Sequence, residues 1–262
     1  MTEWDASEYF RQSQLQEVLA DEQLALLSFS SSECILDVGC GDGKITAKIA
    51  ARVPDGFVLG IDPSHDMIAF ANSHFGLPEW RNLRFAVADV RNLPYRNKFD
   101  LIVSFNALHW VPEQERALRS MRRALKPEGR ATLRLVPAGP RKSLEDVIQE
   151  VCATQRWRES FQGFPMPYVH LAPEAYADLC KRSGFRVQSV QLTDKAWDFR
   201  TREAFLAFCH ATCVKWTRRL PEAEIQPFIE DVLNRYRSIA ADNVEEANTF
   251  KFYQLDVALQ RT

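Results

Sequence analysis

Three glycines two residues apart, Gly39, Gly41 and Gly43, follow an apolar run and its acid Asp37 in "CILDVGCGDGKIT". A backbone this bare lets a ligand approach the main chain closely. Asp62 stands about 20 residues further on, after a second apolar run, where a carboxylate can accept from both hydroxyls of a ribose. A second acid, Asp89 in "VADVRNLPY", can meet an adenine amino group. Spacing sorts the ligand classes. A phosphate-binding loop needs four residues between its first glycine and the Gly-Lys-Ser/Thr, but only three separate Gly39 from Gly43, and Ile45 stands where a magnesium-binding hydroxyl belongs. A dinucleotide fingerprint needs a third glycine where this chain has Lys44. What remains is D-x-G-x-G-x-G after a strand, which fits a nucleoside without a pyrophosphate. The plainer reading, that Asp62 and Asp89 only cap their own turns, stays open at this point.

These residues need a frame. Short apolar runs at 34–38, 57–61, 83–87, 99–105 and 131–136 read as strands buried on both faces of a parallel sheet. Helical patterns separate them: "KITAKIAARV" aligns Ile45, Ile49 and Val53, "SHDMIAFANSHF" offers Ser64 as a cap with Met67, Ile68 and Ala71 inward, and "PEQERALRSMRRAL" repeats apolar residues at helical spacing. Repeated β-α-β units with right-handed crossovers predict a doubly wound sheet. After Val136 an aromatic, proline-containing stretch interrupts the alternation, and two alternating segments at 186–199 and 249–261 predict an antiparallel edge pair. The expected organisation is one domain over 1–262, with a cofactor-binding core at 34–136 and cap insertions at 138–171 and 201–241 over a substrate pocket.

With 262 residues, 46% of them hydrophobic, the chain suits one large α/β domain, and its net charge of −2 gives no general pull toward nucleic acid or an anionic membrane. A small-molecule partner is expected, in a monomer or homodimer. Six cysteines without a CxxC pair read as reduced thiols, and the polar, acidic N-terminus lacks the order of a signal peptide, so a cytoplasmic location is expected. At helical spacing Cys209 and Cys213 share a face while His210 points elsewhere, so no metal is expected.

"ILDVGCGDG", "GIDPSHDMIAFA", "FAVADVRNLPY", "FDLIVSFNALHWV" and "ALKPEG", in this order, resemble the motifs of the class I S-adenosylmethionine-dependent methyltransferases. The resemblance implies a Rossmann-like, seven-stranded, mostly parallel sheet with an antiparallel last strand and a helical cap. It implies S-adenosylmethionine across the C-terminal ends of the first, second and fourth strands, and S-adenosylhomocysteine as product. It assigns Gly39 and Gly41 to the methionine part, with Asp37, Cys40 and Gly43 in the same motif. Asp62 goes to the ribose, Pro63 or Met67 to the adenine face, Asp89 with Val90 to the adenine edge, and Asn106 to the methionine amine.

His109-Trp110 replaces the Asn/Asp-Pro-Pro-aromatic motif of DNA amino methyltransferases and resembles small-acid carboxyl methyltransferases such as the trans-aconitate and juvenile hormone acid enzymes. "EYFRQSQLQ" resembles the opening of the latter group, which implies Tyr9 near the cofactor and Gln16 at the acceptor. In that reading His109, Trp110 and Gln16 hold one carboxylate oxygen and leave the other facing the methyl group. Trp157, Phe161, Phe164, Met166 and Tyr168 are candidates to line an apolar substrate pocket, with plain core as the competing reading. The main alternative is methyl transfer to an amine or hydroxyl with His109 as base. A nicotinamide-dependent oxidoreductase and a non-catalytic cofactor-binding protein are the rivals from other classes.

Overall fold

The computed structural model describes residues 5–76 and 78–262. Two helices, α1 (Ala6–Gln12) and α2 (Gln14–Leu26), precede the alternating unit β1 (Cys34–Val38), α3 (Lys44–Ala50), β2 (Phe57–Asp62), α4 (His65–Phe75), β3 (Leu83–Val87), β4 (Phe99–Phe105), α5 (Gln114–Ala124) and β5 (Leu125–Leu135). Then follow α6 (Leu144–Cys152), α7 (Pro173–Arg182), β6 (Phe185–Asp198), α8 (Arg202–Thr212), α9 (Val214–Thr217), α10 (Glu222–Ala240) and β7 (Thr249–Arg261).

All seven strands form one sheet in the order β3-β2-β1-β4-β5-β7-β6. β1 to β5 are parallel to their neighbours, while β7 runs antiparallel between β5 and β6. The expected Rossmann-like sheet with an antiparallel last strand is therefore present. The strand order reverses between β1 and β4, and ligands of open α/β sheets bind outside the carboxyl ends of strands at such a point.

Apolar groups cover both faces of the central strands. Ile35 packs with Ala20, Leu24, Ile49 and Val58, whereas the adjacent Leu36 packs with Leu118, Met121 and Leu133. This two-sided burial explains why the strand sequences read as unbroken apolar runs. A third group joins α6, α8, α9 and α10 with the first residues of β7, through Leu144, Phe208, Trp216, Phe228, Phe250 and Phe252. It lies beyond the carboxyl ends of the parallel strands, because β7 enters from that side, with Leu255 opposite Leu135. The edge strand β6 is mostly exposed or half-exposed and carries Asp194 and Lys195, charges that discourage further strand pairing. Among the described residues no helix is long and apolar enough to cross a membrane.

Candidate active site

The glycine turn is folded back over the end of β2: Gly39 and Cys40 both donate their N–H to the Ile61 carbonyl, at 2.8 and 3.0 Å. Gly39, Gly41 and Gly43 all have φ between 51° and 84°, the left-handed region that glycine enters without penalty. Their surroundings differ. A Cβ at Gly43 meets Ala71 and Phe85 at 2.8 Å, so that glycine serves helix packing, whereas one at Gly41 meets only the Tyr9 ring, at 3.9 Å. Asp62 ties the turn to the next helix, accepting from Gly41 N–H at 3.1 Å and Ser64 N–H at 2.9 Å.

A cavity of about 430 Å³ opens along these groups, lined by Gly39, Gly41, Asp62, Pro63, Met67, Asp89, Val90, Asn106, Trp110 and Tyr9. Its size falls within the about 300–1,000 Å³ usual for small ligands. Bare backbone on one side, a ribose-matching carboxylate in the middle and apolar residues at the far end suit a methionine-linked nucleoside. Asp89 also caps its own short turn and grips Arg91 with both oxygens, at 2.6–3.0 Å, which holds its carboxyl below the usual range.

Three residues expected on this wall stand elsewhere. Asp37 is buried behind the turn, where Thr46 Oγ1 of α3 donates to it at 2.7 Å, and Gly43 faces Phe85. Cys40 lines only a small neighbouring pocket of about 40 Å³, shared with Gly39, Gly41, Tyr9 and Gln16. Burial raises its thiol well above the ordinary range, so it is no nucleophile. Asp37 still belongs to β1 and Gly43 already caps α3, so only Gly39 and Gly41, in the turn between them, line the cavity.

Burial lifts the Asp37 carboxyl to about 7, although the Thr46 bond opposes this. Because the folded-state value lies above the unfolded one, the protonated acid favours the fold below about pH 4, and that stability is lost as pH rises toward 7. Asp37→Asn is therefore expected to flatten the fall in melting temperature between pH 5 and 8; an unchanged slope by scanning calorimetry refutes this.

A second cavity of about 100 Å³ adjoins the first through Tyr9, Asn106 and Trp110, which line both. Asn106 has φ 56°, a left-handed conformation that Asn tolerates, and its N–H donates to the Arg134 carbonyl of β5 at 2.7 Å. Gln16 of α2 and His109 share the second cavity with Leu15, Leu144, Ile148, Phe208, Trp216, Phe250 and Phe252. The two acceptor-side elements thus converge: the α2 start brings Gln16, and the turn after β4 brings His109 and Trp110. The buried Oε1 of Gln16, an acceptor, has no hydrogen-bond partner among the described residues.

His109 is 3% exposed, and its Nδ1 accepts from the Val136 N–H at 3.4 Å. In a neutral ring with Nδ1 accepting, the proton sits on Nε2, which can only donate. Burial, assisted by His170 and Lys215, keeps the ring neutral well below its ordinary titration range. The Val169 N–H donates to the His109 carbonyl at 2.8 Å, which pins the segment after α6 to this turn.

The aromatic residues expected to line a substrate pocket do not line this second cavity. Trp157 and Phe161 pack on Phe228 of α10 with ring centres 5.2 Å away, and Trp157 donates to Asp231 at 2.8 Å. Phe164 leans on Phe161, Tyr168 donates to Asp146 at 2.8 Å, and Met166 is 61% exposed. Phe228 claims Trp157 and Phe161 for the core, while Phe164 and Tyr168 pack on the Trp216 ring at 6.5 and 6.2 Å. The lining of the second cavity was partly legible, since Phe208, Thr212 and Trp216 follow helical spacing and Phe250 and Phe252 alternate as a strand should.

Lys215 also went unforeseen. It lines the larger cavity from α9, donates to the Trp110 and Pro167 carbonyls at 3.4 and 3.1 Å, and lies 4.6 Å from the centre of the Trp110 ring. Burial lowers it to about 8. A single lysine on a helix carries no sequence signal. Cys209 and Cys213 are buried in the apolar group around α8, and among the described residues no three His, Cys, Asp or Glu are grouped for a metal. A wider open groove of about 650 Å³ on α5, lined by Arg91, Glu113, Arg116 and Arg123, gathers none of the predicted substrate-side residues.

Residues 35–129 match the family described as "Methyltransferase domain". The trans-aconitate 2-methyltransferase of Shigella dysenteriae is 29% identical over 230 residues, covering 87% of this chain and 86% of that protein. Its Escherichia coli counterpart is 29% identical over 231 residues, 88% of this chain and 87% of that one. In fold, the chain is similar to the YcgJ protein of Bacillus subtilis (TM-score 0.65, 15% identity, 92% and 97% covered). A Haemonchus contortus phosphoethanolamine N-methyltransferase 2 is also similar (TM-score 0.64, 16% identity, 98% and 57% covered). The chain is a class I methyltransferase that uses S-adenosylmethionine. Within that class it resembles the trans-aconitate methyltransferases.

Proposed function

We propose that this methyltransferase esterifies a carboxylate of a small molecule. The observation that carries this reading is the His109 ring: buried, neutral, with Nδ1 accepting from Val136 N–H and Nε2 therefore a donor. A general base needs a free lone pair on the substrate side; a carboxylate needs a donor. S-adenosylmethionine supplies, when bound, a methyl group on a sulfonium, activated for displacement. The chain's task is to hold the acceptor in line and exclude water, which can supply about 7–11 kcal/mol of the barrier reduction.

In this reading Gly39 and Gly41 receive the methionine part, Asn106 its amine, Asp62 the ribose, Pro63 and Met67 the adenine face, and Asp89 with Val90 its edge. His109 Nε2–H, the Trp110 indole and the Gln16 amide converge on one carboxylate oxygen. The other oxygen attacks; an oxygen–carbon bond forms, the carbon–sulfur bond breaks, and no proton has to move. Trans-aconitate 2-methyltransferase is the name borne by relatives that match nearly the whole chain, which supports an acid acceptor.

The test is transfer from radiolabelled S-adenosylmethionine to small acids, amines and phenols. A base-labile product from an acid is expected; a base-stable product from an amine or phenol overturns the reading. A second expectation concerns pH. His109 stays uncharged down to well below pH 6.5, so kcat/KM for the acid is expected to be flat from pH 6 to 8. His109→Ala lowers it roughly ten- to hundredfold, the worth of a hydrogen bond to a charged group, without reshaping the profile. A limb near the histidine range that vanishes in His109→Ala instead marks a base.

A further inference from the structure

The acceptor cavity contains a donor that the ester-forming reading does not use. Trp216 of α9 is fully buried, lines this cavity, and its indole N–H has no hydrogen-bond partner among the described residues. The comparison within the fold is direct: Trp157, equally enclosed, donates to Asp231 at 2.8 Å. A buried donor left unmade is more unfavourable than a made bond is favourable, so such groups are paired in proteins, by the protein itself or by what it binds. Trp216 stands edge-on to Trp110, with ring centres 5.9 Å apart, on the shared wall of the site.

The charges of the cavity narrow the class further. Its lining holds no lysine or arginine among the described residues, and its one carboxylate is Glu145. Lys215 and Arg91 line the cofactor cavity instead, and Arg91 is engaged with Asp89 and Glu113. A second carboxylate on the acceptor finds no lysine or arginine on this lining, the neighbouring Lys215 being held by the Trp110 and Pro167 carbonyls, and it adds a further negative charge beside Glu145, an unfavourable pairing in a site of low polarity. The remaining walls are apolar, and about 100 Å³ suits a small molecule rather than a drug-sized one.

We propose that the acceptor is a small monocarboxylic acid carrying an uncharged carbonyl or ether oxygen that accepts from Trp216 Nε1–H, and that Trp216 is the residue selecting for it. The proposal rests on the ester-forming reading. It separates this chain from relatives named for a tricarboxylic substrate, whose extra charges this cavity does not match.

The experiment uses wild type and Trp216→Phe with labelled S-adenosylmethionine and five probes: hexanoate, its 3-, 4- and 5-oxo derivatives, and trans-aconitate. In wild type at least one oxo acid is expected to exceed hexanoate in kcat/KM by roughly tenfold or more, since a site built around a donor discriminates strongly against analogues that leave it unpaired. Trans-aconitate is expected to fall below hexanoate. In Trp216→Phe the oxo preference drops to near one, while S-adenosylhomocysteine binding by calorimetry is unchanged. A preference that survives Trp216→Phe, equal rates for oxo and plain acids in wild type, or trans-aconitate as the best acceptor each overturns the proposal. Should the variant lose S-adenosylhomocysteine binding, the wild-type ratios decide by themselves. Methylation of none of the acids, with amines or phenols accepted instead, removes the ester-forming reading and the proposal with it.

Discussion

Asp62→Ala is expected to weaken S-adenosylhomocysteine binding by about hundredfold or more while the fold persists. The carboxylate ends β2 and holds two backbone donors, Gly41 N–H of the glycine turn and Ser64 N–H at the start of α4. Removing it releases the glycine turn and the start of α4 together. It also deletes the acceptor proposed for the ribose hydroxyls. Hydrogen bonds to a charged group are worth about 1.5–3 kcal/mol each, and losing about 2.8 kcal/mol corresponds to a hundredfold change in affinity. Asp62→Asn, which keeps one acceptor oxygen, is expected to fall between wild type and alanine. Titration calorimetry decides: a loss under fivefold in Asp62→Ala removes Asp62 from the cofactor site.

The largest stability effect is expected at a pair far from the cofactor. Arg134 is 3% exposed, and Asp256 of the antiparallel strand meets its Nε and Nη2 at 2.6 and 2.8 Å. The same guanidinium donates to the Leu19 carbonyl and approaches Glu22 at 3.4 Å, so it joins β5, β7 and α2 at one point. Asp256→Ala leaves that charge buried without its main partner, which typically costs about 3–5 kcal/mol. For a chain of this size the melting temperature is expected to fall on the order of 10 °C. Because α2 carries Gln16, the acceptor KM rises with it. Replacing both partners, as Arg134→Met with Asp256→Leu, recovers most of the loss, since no charge is then stranded. A fall under 2 °C in thermal unfolding of Asp256→Ala shows that Glu22 and the Leu19 carbonyl suffice to hold Arg134.

Legibility followed locality. The cofactor cradle is made by a turn and two strand ends, so Gly39, Gly41 and Asp62 declare it by type and spacing, and Ser64 caps α4 as its position implies, accepting from the Met67 N–H. Within the same motif Asp37 and Gly43 read as ligand residues but serve the turn from behind. Spacing along the chain does not tell which side of a turn a residue faces.

The aromatic cap shows the opposite limit. Trp157, Phe161 and Tyr168 have the composition of a pocket, yet Phe228 and Asp231 of α10, some 70 residues later, claim two of them for the core. The residues that line the proposed acceptor cavity come from α1, α2, the turn after β4, α6, α8, α9 and β7, and no local pattern announces their meeting. His109 was recognisable as a residue, but its protonation state depends on an N–H of Val136, 27 positions away.

The sequence by itself determined the sheet, its order of elements and the cofactor cradle, because those rest on periodicity and on short-range backbone geometry. The tertiary structure alone decided what faces the proposed acceptor: a neutral donor at His109 and, among the described residues, an unpaired indole N–H at Trp216 and walls without lysine or arginine. Burial sets each of these properties, and burial is a relation among distant segments that exists only once they have packed.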